Sequence, residues 1–306
     1  MDLRQLNALV AVAEHKSFSS AARALHTVQS NISTHVARLE RELGVTLIDR
    51  TTSTLTDAGV VVVQRATRVQ RELEALVADV AAVHDEIAGV VRIGVIGTTA
   101  RWLVPPLLES MAARYPRVRV VVVDATTTSL LPQVHTGQLD LAVVALPVHD
   151  PDVESEQLFE EDLLVIAPTD HPLAERDRVT FAELAEHDLL LEPPGTVFRD
   201  DLEVQAAKAG VTLRAKAEVD GMRLVASLAF EGFGAAVLPA SAAPRWLRGG
   251  WKVVAVDGLT GRSVGLIRRR RGLPSAPARA IADTLRSVVA EEAAGQPGIR
   301  PMKSST

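Results

Sequence analysis

Seven apolar residues, Val62, Ala66, Val69, Leu73, Leu76, Val80 and Val83, follow one another at spacings of 4, 3, 4, 3, 4 and 3. That is the period of a helix whose apolar seam faces another helix. Gln, Arg, Glu and Asp fill most outer positions, and the helix reads from Asp57 to about Glu86, roughly 45 Å at 1.5 Å per residue. The short head before it is too small to cover such a stripe. Two coverings are open: the helix lies on its own chain, or it pairs with another copy. The regularity of the seam favours the second.

Upstream, Leu3 to Glu14 reads as a helix with Leu6, Leu9, Val10 and Ala13 on one face. Ser17 can cap a short run, Ser19 to Leu25, that breaks at His26 to Val28. The next helix buries Ile32, Val36, Leu39 and Leu43, spaced 4, 3 and 4, yet opens on the polar Gln29, Ser30 and Asn31. Its other faces carry Thr34, His35, Arg38 and Arg41. Two short helices at a tight turn, the second opening with side chains able to meet base edges, have the form of a helix-turn-helix reader. Ile48 to Thr56 is rich in β-branched residues and reads as a small hairpin, or wing, with a plain loop as the alternative. The net charge of −5 does not favour nucleic acid, and the first fifty residues are only slightly cationic. DNA binding by this chain therefore needs a good fit and two copies of the head.

Beyond Gly89 strand-like runs alternate with helical ones: 90–96, 118–123, 139–144, 163–167, 189–191, 235–238 and 264–267 are the strands. Continuous apolar strands separated by helices indicate parallel sheets covered on both faces, and the length suggests two lobes. The tail "AAGQPGIRPMKSST" has no pattern to bury and is expected to be disordered. The absence of cysteine from all 306 residues removes disulfides, zinc–thiolate sites and thiol redox sensing together. No run of about 20 apolar residues spans a bilayer, the N-terminus lacks a secretory pattern, and the cytoplasm is the expected location. The histidines show no metal-binding spacing, and neither a nucleophile-elbow serine nor a phosphate loop occurs. "GFGAAVLP" lacks the third glycine of a dinucleotide site, and "RRRR" at 268–271 reads as a solvated turn. Neither an enzyme nor a cofactor or metal site is expected.

The stretches "SFSSAARALHTVQSNISTHVARLERELGVTLIDR", "LTDAG", "VVRIGVIG", "GQLDLAVV", "APTDHPLA" and "EGFGAAVLP" resemble the LysR-type transcriptional regulators over almost the whole chain. That resemblance implies a multidomain architecture. A winged helix-turn-helix DNA-binding head (1–57) is followed by a linker and dimerisation helix (58–87) and a two-lobed α/β effector-binding domain (88–292) similar to periplasmic solute-binding proteins. Lobe I takes about 88–161 and 268–292, lobe II about 162–267, and 293–306 is the tail. It further implies a homotetramer, or at least a dimer, with promoter DNA, a small-molecule effector and RNA polymerase as partners. Ser30 stands where the family commonly has proline, and Thr51, Thr52 and Ser53 where many members carry arginines.

The expected DNA face is Gln29, Ser30, Asn31, Thr34 and His35, with Arg38 and Arg50 on phosphate. In open α/β sheets ligands sit beyond the strand ends, where helix N-termini present free amides. Thr98, Thr99, Arg101, Thr127, Thr128, Gly195, Thr196, Phe198 and Arg199 lie where the family's effector contacts fall. Hydroxyls and amides there favour a small carboxylate or other anion, paired with Arg101 or Arg199. Any single threonine among them is more simply a helix cap, and the cluster is what argues for a site.

Overall fold

The computed structural model describes residues 1–84, 86–243 and 249–302 and divides into two compact units, residues 1–80 with 136–138, and the remainder. The first unit begins with α1 (Leu3–His15), started by a reciprocal cap in which the Gln5 amide donates to Asp2 and the Asp2 amide to the Gln5 side chain, both at 2.9 Å. α2 (Phe18–Ala24) is capped by Ser17, and α3 (Gln29–Leu43) ends on Gly44 at φ 71°. The antiparallel pair β1 (Ile48–Asp49) and β2 (Thr54–Leu55) forms the wing, and α4 (Asp57–Ala82) leaves it. Leu9, Val12, Ala21, Ile32, Val36, Leu39, Leu47 and Ile48 form the core, joined by Ala66 from α4.

The expected seam divides in two. Val62 and Ala66 pack into the head, whereas Val69, Leu73, Leu76 and Val80 stay 40%, 41%, 60% and 57% exposed. α4 stops at Ala82, short of the expected end, and residue 85 lies outside the described residues.

The second unit begins with β3 (Gly89–Val95), α5 (Gly97–Arg114), β4 (Val118–Asp124), α6 (Thr127–Thr136), β5 (Leu141–Leu146) and β6 (Val153–Glu161). The chain then crosses to a second sheet through β7 (Leu163–Pro168), β8 (Arg178–Thr180), α7 (Phe181–Ala185), β9 (Asp188–Leu191), α8 (Val197–Lys208), β10 (Arg214–Glu218), α9 (Met222–Phe230), β11 (Ala235–Pro239) and β12 (Trp251–Asp257). It returns with β13 (Arg262–Arg269), α10 (Ala276–Glu292) and β14 (Ile299–Pro301). The strand orders are β14-β6-β13-β5-β3-β4 and β10-β9-β11-β7-β12-β8.

Three expectations are corrected. The sheets are mixed, because β13 runs antiparallel to both β5 and β6, and β7 antiparallel to β11 and β12. Residues 262–267 belong to the first sheet, since β13 is the strand that brings the chain back and pairs there along its whole length. Residues 293–301 are ordered: a short 3-10 turn buries Ala293, and β14 pairs with β6 and buries Ile299. Two apolar side chains and a free sheet edge suffice where the sequence shows no periodicity. The last residues of the tail, 303–306, lie outside the described residues.

Candidate DNA-reading surface and effector pocket

α3 is amphipathic enough to be anchored and read at once. Ile32, Val36 and Leu39 are buried, and Gln29, Ser30, Asn31, Thr34 and Arg38 are exposed. Val28, its first cap position, supplies no side-chain bond to the helix amides. A helix start left without a side-chain cap suits a phosphate. The Gln29 side-chain oxygen accepts from the Ser19 hydroxyl at 2.8 Å, which ties the side chain to α2 and leaves its NH2 group as a donor. Asn31 donates to the Thr27 hydroxyl at 3.0 Å, and Thr34 donates back to the Ser30 carbonyl at 2.8 Å. His35 is half-buried, and its Nδ1 has no hydrogen-bond partner among the described residues. Arg38 makes no ion pair among the described residues, whereas Arg50 lies 3.4 Å from Glu40. Glu40 also accepts the amides of Leu47 and Ile48 at 2.8 and 3.3 Å, and so ties α3 to the wing that carries Arg50.

In the second unit the residues expected around an effector separate. Thr98 and Arg101 line a pocket of about 60 Å³ together with Gly97, Arg223, Ala226, Ser227 and Ala242. That is room for a few non-hydrogen atoms. Arg223, at the start of α9, makes an ion pair with Asp124 at the end of β4, and this pair joins the two lobes at the pocket's edge.

Several of the other expected contacts are engaged elsewhere in the fold. Thr99 is fully buried, with no hydrogen-bond partner for its hydroxyl among the described residues. The Thr127 hydroxyl accepts the Ala145 amide at 3.2 Å, and Thr128 is exposed. The Gly195 amide donates to Asp200 at 2.9 Å, and Thr196 caps α8 by accepting the Arg199 amide at 3.4 Å. Phe198 packs on the second lobe's core. Arg199 is buried and held by the Glu192 carbonyl at 3.0 Å and the Glu203 carboxylate at 2.7 Å. Its guanidinium braces α8 and is not open to an incoming carboxylate.

Three charged residues were not anticipated. Arg262 bonds Glu161 with Nε–Oε1 at 2.7 Å and reaches the Thr98 hydroxyl at 3.2 Å. Burial pushes the Glu192 carboxyl above its ordinary range, against the pull of Arg262. Glu161 and Arg262 are 101 residues apart, so no local pattern could pair them. The 268–271 run is largely absorbed: Arg268 pairs with Glu154, and Arg270 donates to the Pro151 and Val153 carbonyls at 3.1 and 3.3 Å. One surface group was also missed. His135, Asp150 and Asp152 bring ligand-type atoms within 4.8 Å of one another, with His135 Nδ1 3.5 Å from Asp150.

The family models agree with this division. The one described as "Bacterial regulatory helix-turn-helix protein, lysR family" matches residues 3–60, and "LysR substrate binding domain" matches residues 84–290. The chain is 37% identical over 296 residues to a probable hydrogen peroxide-inducible genes activator of Streptomyces viridosporus, covering 95% of this chain and 90% of that one. It is 32% identical over 246 residues to the DNA-binding transcriptional dual regulator OxyR of Escherichia coli K12, covering 80% and 81%. Its fold is similar to full-length OxyR of Pseudomonas aeruginosa with an aspartate in place of a cysteine, at TM-score 0.76 and 26% identity, covering 100% and 99%. With a helix-turn-helix head, a two-lobed α/β domain and relatives that are regulators, not enzymes, this chain belongs to the LysR family of DNA-binding transcriptional regulators.

Proposed function

We propose that the chain works as a self-associated regulator of promoter DNA in the cytoplasm, reading bases with Gln29, Ser30, Asn31, Thr34 and His35 and gripping phosphate with Arg38 and Arg50. The observation that carries this reading is α3 itself, whose exposed first turn is polar while Ile32, Val36 and Leu39 are buried on its other side, with Leu43, expected in that stripe, 41% exposed at the helix end. The bare run of α4 from Val69 to Val80 supports pairing with a second copy, as a dimer or as a tetramer built from two. RNA polymerase is the expected downstream partner.

The signal is a small molecule bound without covalent chemistry. Relatives are named for induction by hydrogen peroxide, and the matched structure has a substituted cysteine, but none of the 306 residues here is a cysteine. Thiol oxidation therefore cannot be the trigger in this chain. A small anion, a short organic acid among them, suits the pocket between the lobes, where Arg101, Arg223 and the first turn of α5 meet. Binding changes DNA geometry only through a difference in affinity between two arrangements of the lobes.

Footprinting on a selected operator, with and without a panel of short organic acids, tests the switch. A footprint that changes with an acid that binds supports it. A footprint unchanged by every ligand that binds the protein removes it.

A further inference from the structure

Glu161 is the last residue of β6, where the chain leaves the first sheet, and Arg262 is the first residue of β13, where it comes back. They are direct partners in the strand register. Glu161 is fully buried, and the Arg262 side chain is 14% exposed. The two strands touch closely here: a Cβ on Gly261 would lie 2.3 Å from the Glu161 carbonyl oxygen. One carboxylate oxygen of Glu161 accepts from Arg262 at 2.7 Å, and the other accepts the Ser241 amide at 3.1 Å. Ser241 adjoins Ala242, a wall of the pocket. Arg262 in turn donates from Nη2 to the hydroxyl oxygen of Thr98, another lining residue, at 3.2 Å, with its guanidinium carbon 5.9 Å from the centre of the Phe198 ring. A single buried pair thus fixes two parts of the lining.

The Thr98 bond has a direction. Arginine only donates, so the Thr98 oxygen is the acceptor, and the hydroxyl proton is turned elsewhere. We infer that Arg262 is a specificity-determining residue: held by Glu161, it sets the Thr98 hydroxyl as a hydrogen-bond donor into the pocket, and so selects ligands that present an acceptor atom there. The inference rests on the reading of this pocket as the effector site. It adds the residue that enforces the ligand's polarity.

Removing Arg262 alone leaves Glu161 buried and unpaired, which is costly, so the test uses Glu161→Gln/Arg262→Gln, in which two amides can bond each other. Thr98→Val removes the donor, and Thr98→Ser keeps it. Calorimetry on the full-length chain with formate, which only accepts, and with methylammonium, which only donates, reads the result, with melting curves to confirm folding. Formate is expected to bind the wild type more tightly than methylammonium. Thr98→Val and the double amide variant should each weaken formate at least fivefold, and combining them should add little. Thr98→Ser should stay within twofold.

Unchanged formate affinity in the folded double variant overturns the inference and leaves the pocket standing. A preference for methylammonium does the same. If neither probe binds the wild type, the pocket reading itself fails.

Discussion

Leu76→Ala separates the two ways of covering α4. In the single chain Leu76 is 60% exposed, beside Leu73 and Val80 at 41% and 57%. Fully burying a leucine contributes about 1.5–3 kcal/mol, so closing the remaining exposure against a partner contributes about 1–2 kcal/mol per chain and about 2–4 kcal/mol per dimer. Alanine keeps only a methyl group, so about 1.5–3 kcal/mol of dimer stability should go, roughly a 10- to 150-fold rise in dissociation constant at 1.4 kcal/mol per tenfold. The fold of one chain should be nearly indifferent, within about 0.5 kcal/mol, because the side chain touches little of its own molecule. Sedimentation equilibrium over a concentration series reads the association, and melting curves at matched concentrations read the fold. An unchanged dissociation constant, or a loss of stability that does not depend on concentration, would refute the reasoning.

Other perturbations test the frame. A Cβ on Gly59 would lie 2.0 Å from the Leu47 carbonyl oxygen, so Gly59→Ala should destabilise the head by about 2 kcal/mol, read by denaturant unfolding of the full chain. Glu192 holds its proton more tightly folded than unfolded. The stability this contributes is fully present below the ordinary value of 4.5 and is lost as pH rises through the higher folded value. Glu192→Gln should therefore gain on the wild type as pH rises above the ordinary carboxyl value in thermal melts, and equal curves across that rise would count against a carboxyl held protonated by burial. Deleting residues 296–306 removes β14 and the buried Ile299, and should cost about 2 kcal/mol or more of effector-domain stability.

The legible parts of the molecule are those whose signal is local and periodic. α3 announces itself because Ile32, Val36 and Leu39 recur at the helical period. The apolar strands β3, β5 and β7 are readable because they are buried on both faces. β6 is not, for "VESEQLFEE" looks like a solvated stretch. Its charges are answered only in three dimensions: Glu154 by Arg268, Glu156 by Arg286 at 2.7 and 2.8 Å, and Glu161 by Arg262. Once β6 is missed, one of the two neighbours of β13 is unread, and β13 is assigned to the wrong lobe.

The pocket follows the same logic. Sequence places Thr98 and Arg101 at a strand end, where the topology puts a ligand, and the structure keeps both there. It cannot give direction. Arg199 sits at an equally plausible helix start, but its side chain turns inward to the Glu192 carbonyl and to Glu203. Thr127 also turns away, to the Ala145 amide. Arg262 and Glu161 remain unseen, because only the crossing of the chain between sheets brings them together.

The most direct measurement is the binding of the full-length chain to a duplex selected from random sequence, against a scrambled duplex, across a salt series. The same series is run on the Gln29→Ala, Asn31→Ala, His35→Ala triple variant. The wild type is expected to prefer the selected duplex by roughly 1,000-fold or more, with affinity falling as salt rises. At about 1–3 kcal/mol for each lost base contact, the triple variant should keep little of that preference while its salt-sensitive, non-specific binding persists. A triple variant that still discriminates as the wild type does would contradict the assignment of α3 as the reading helix.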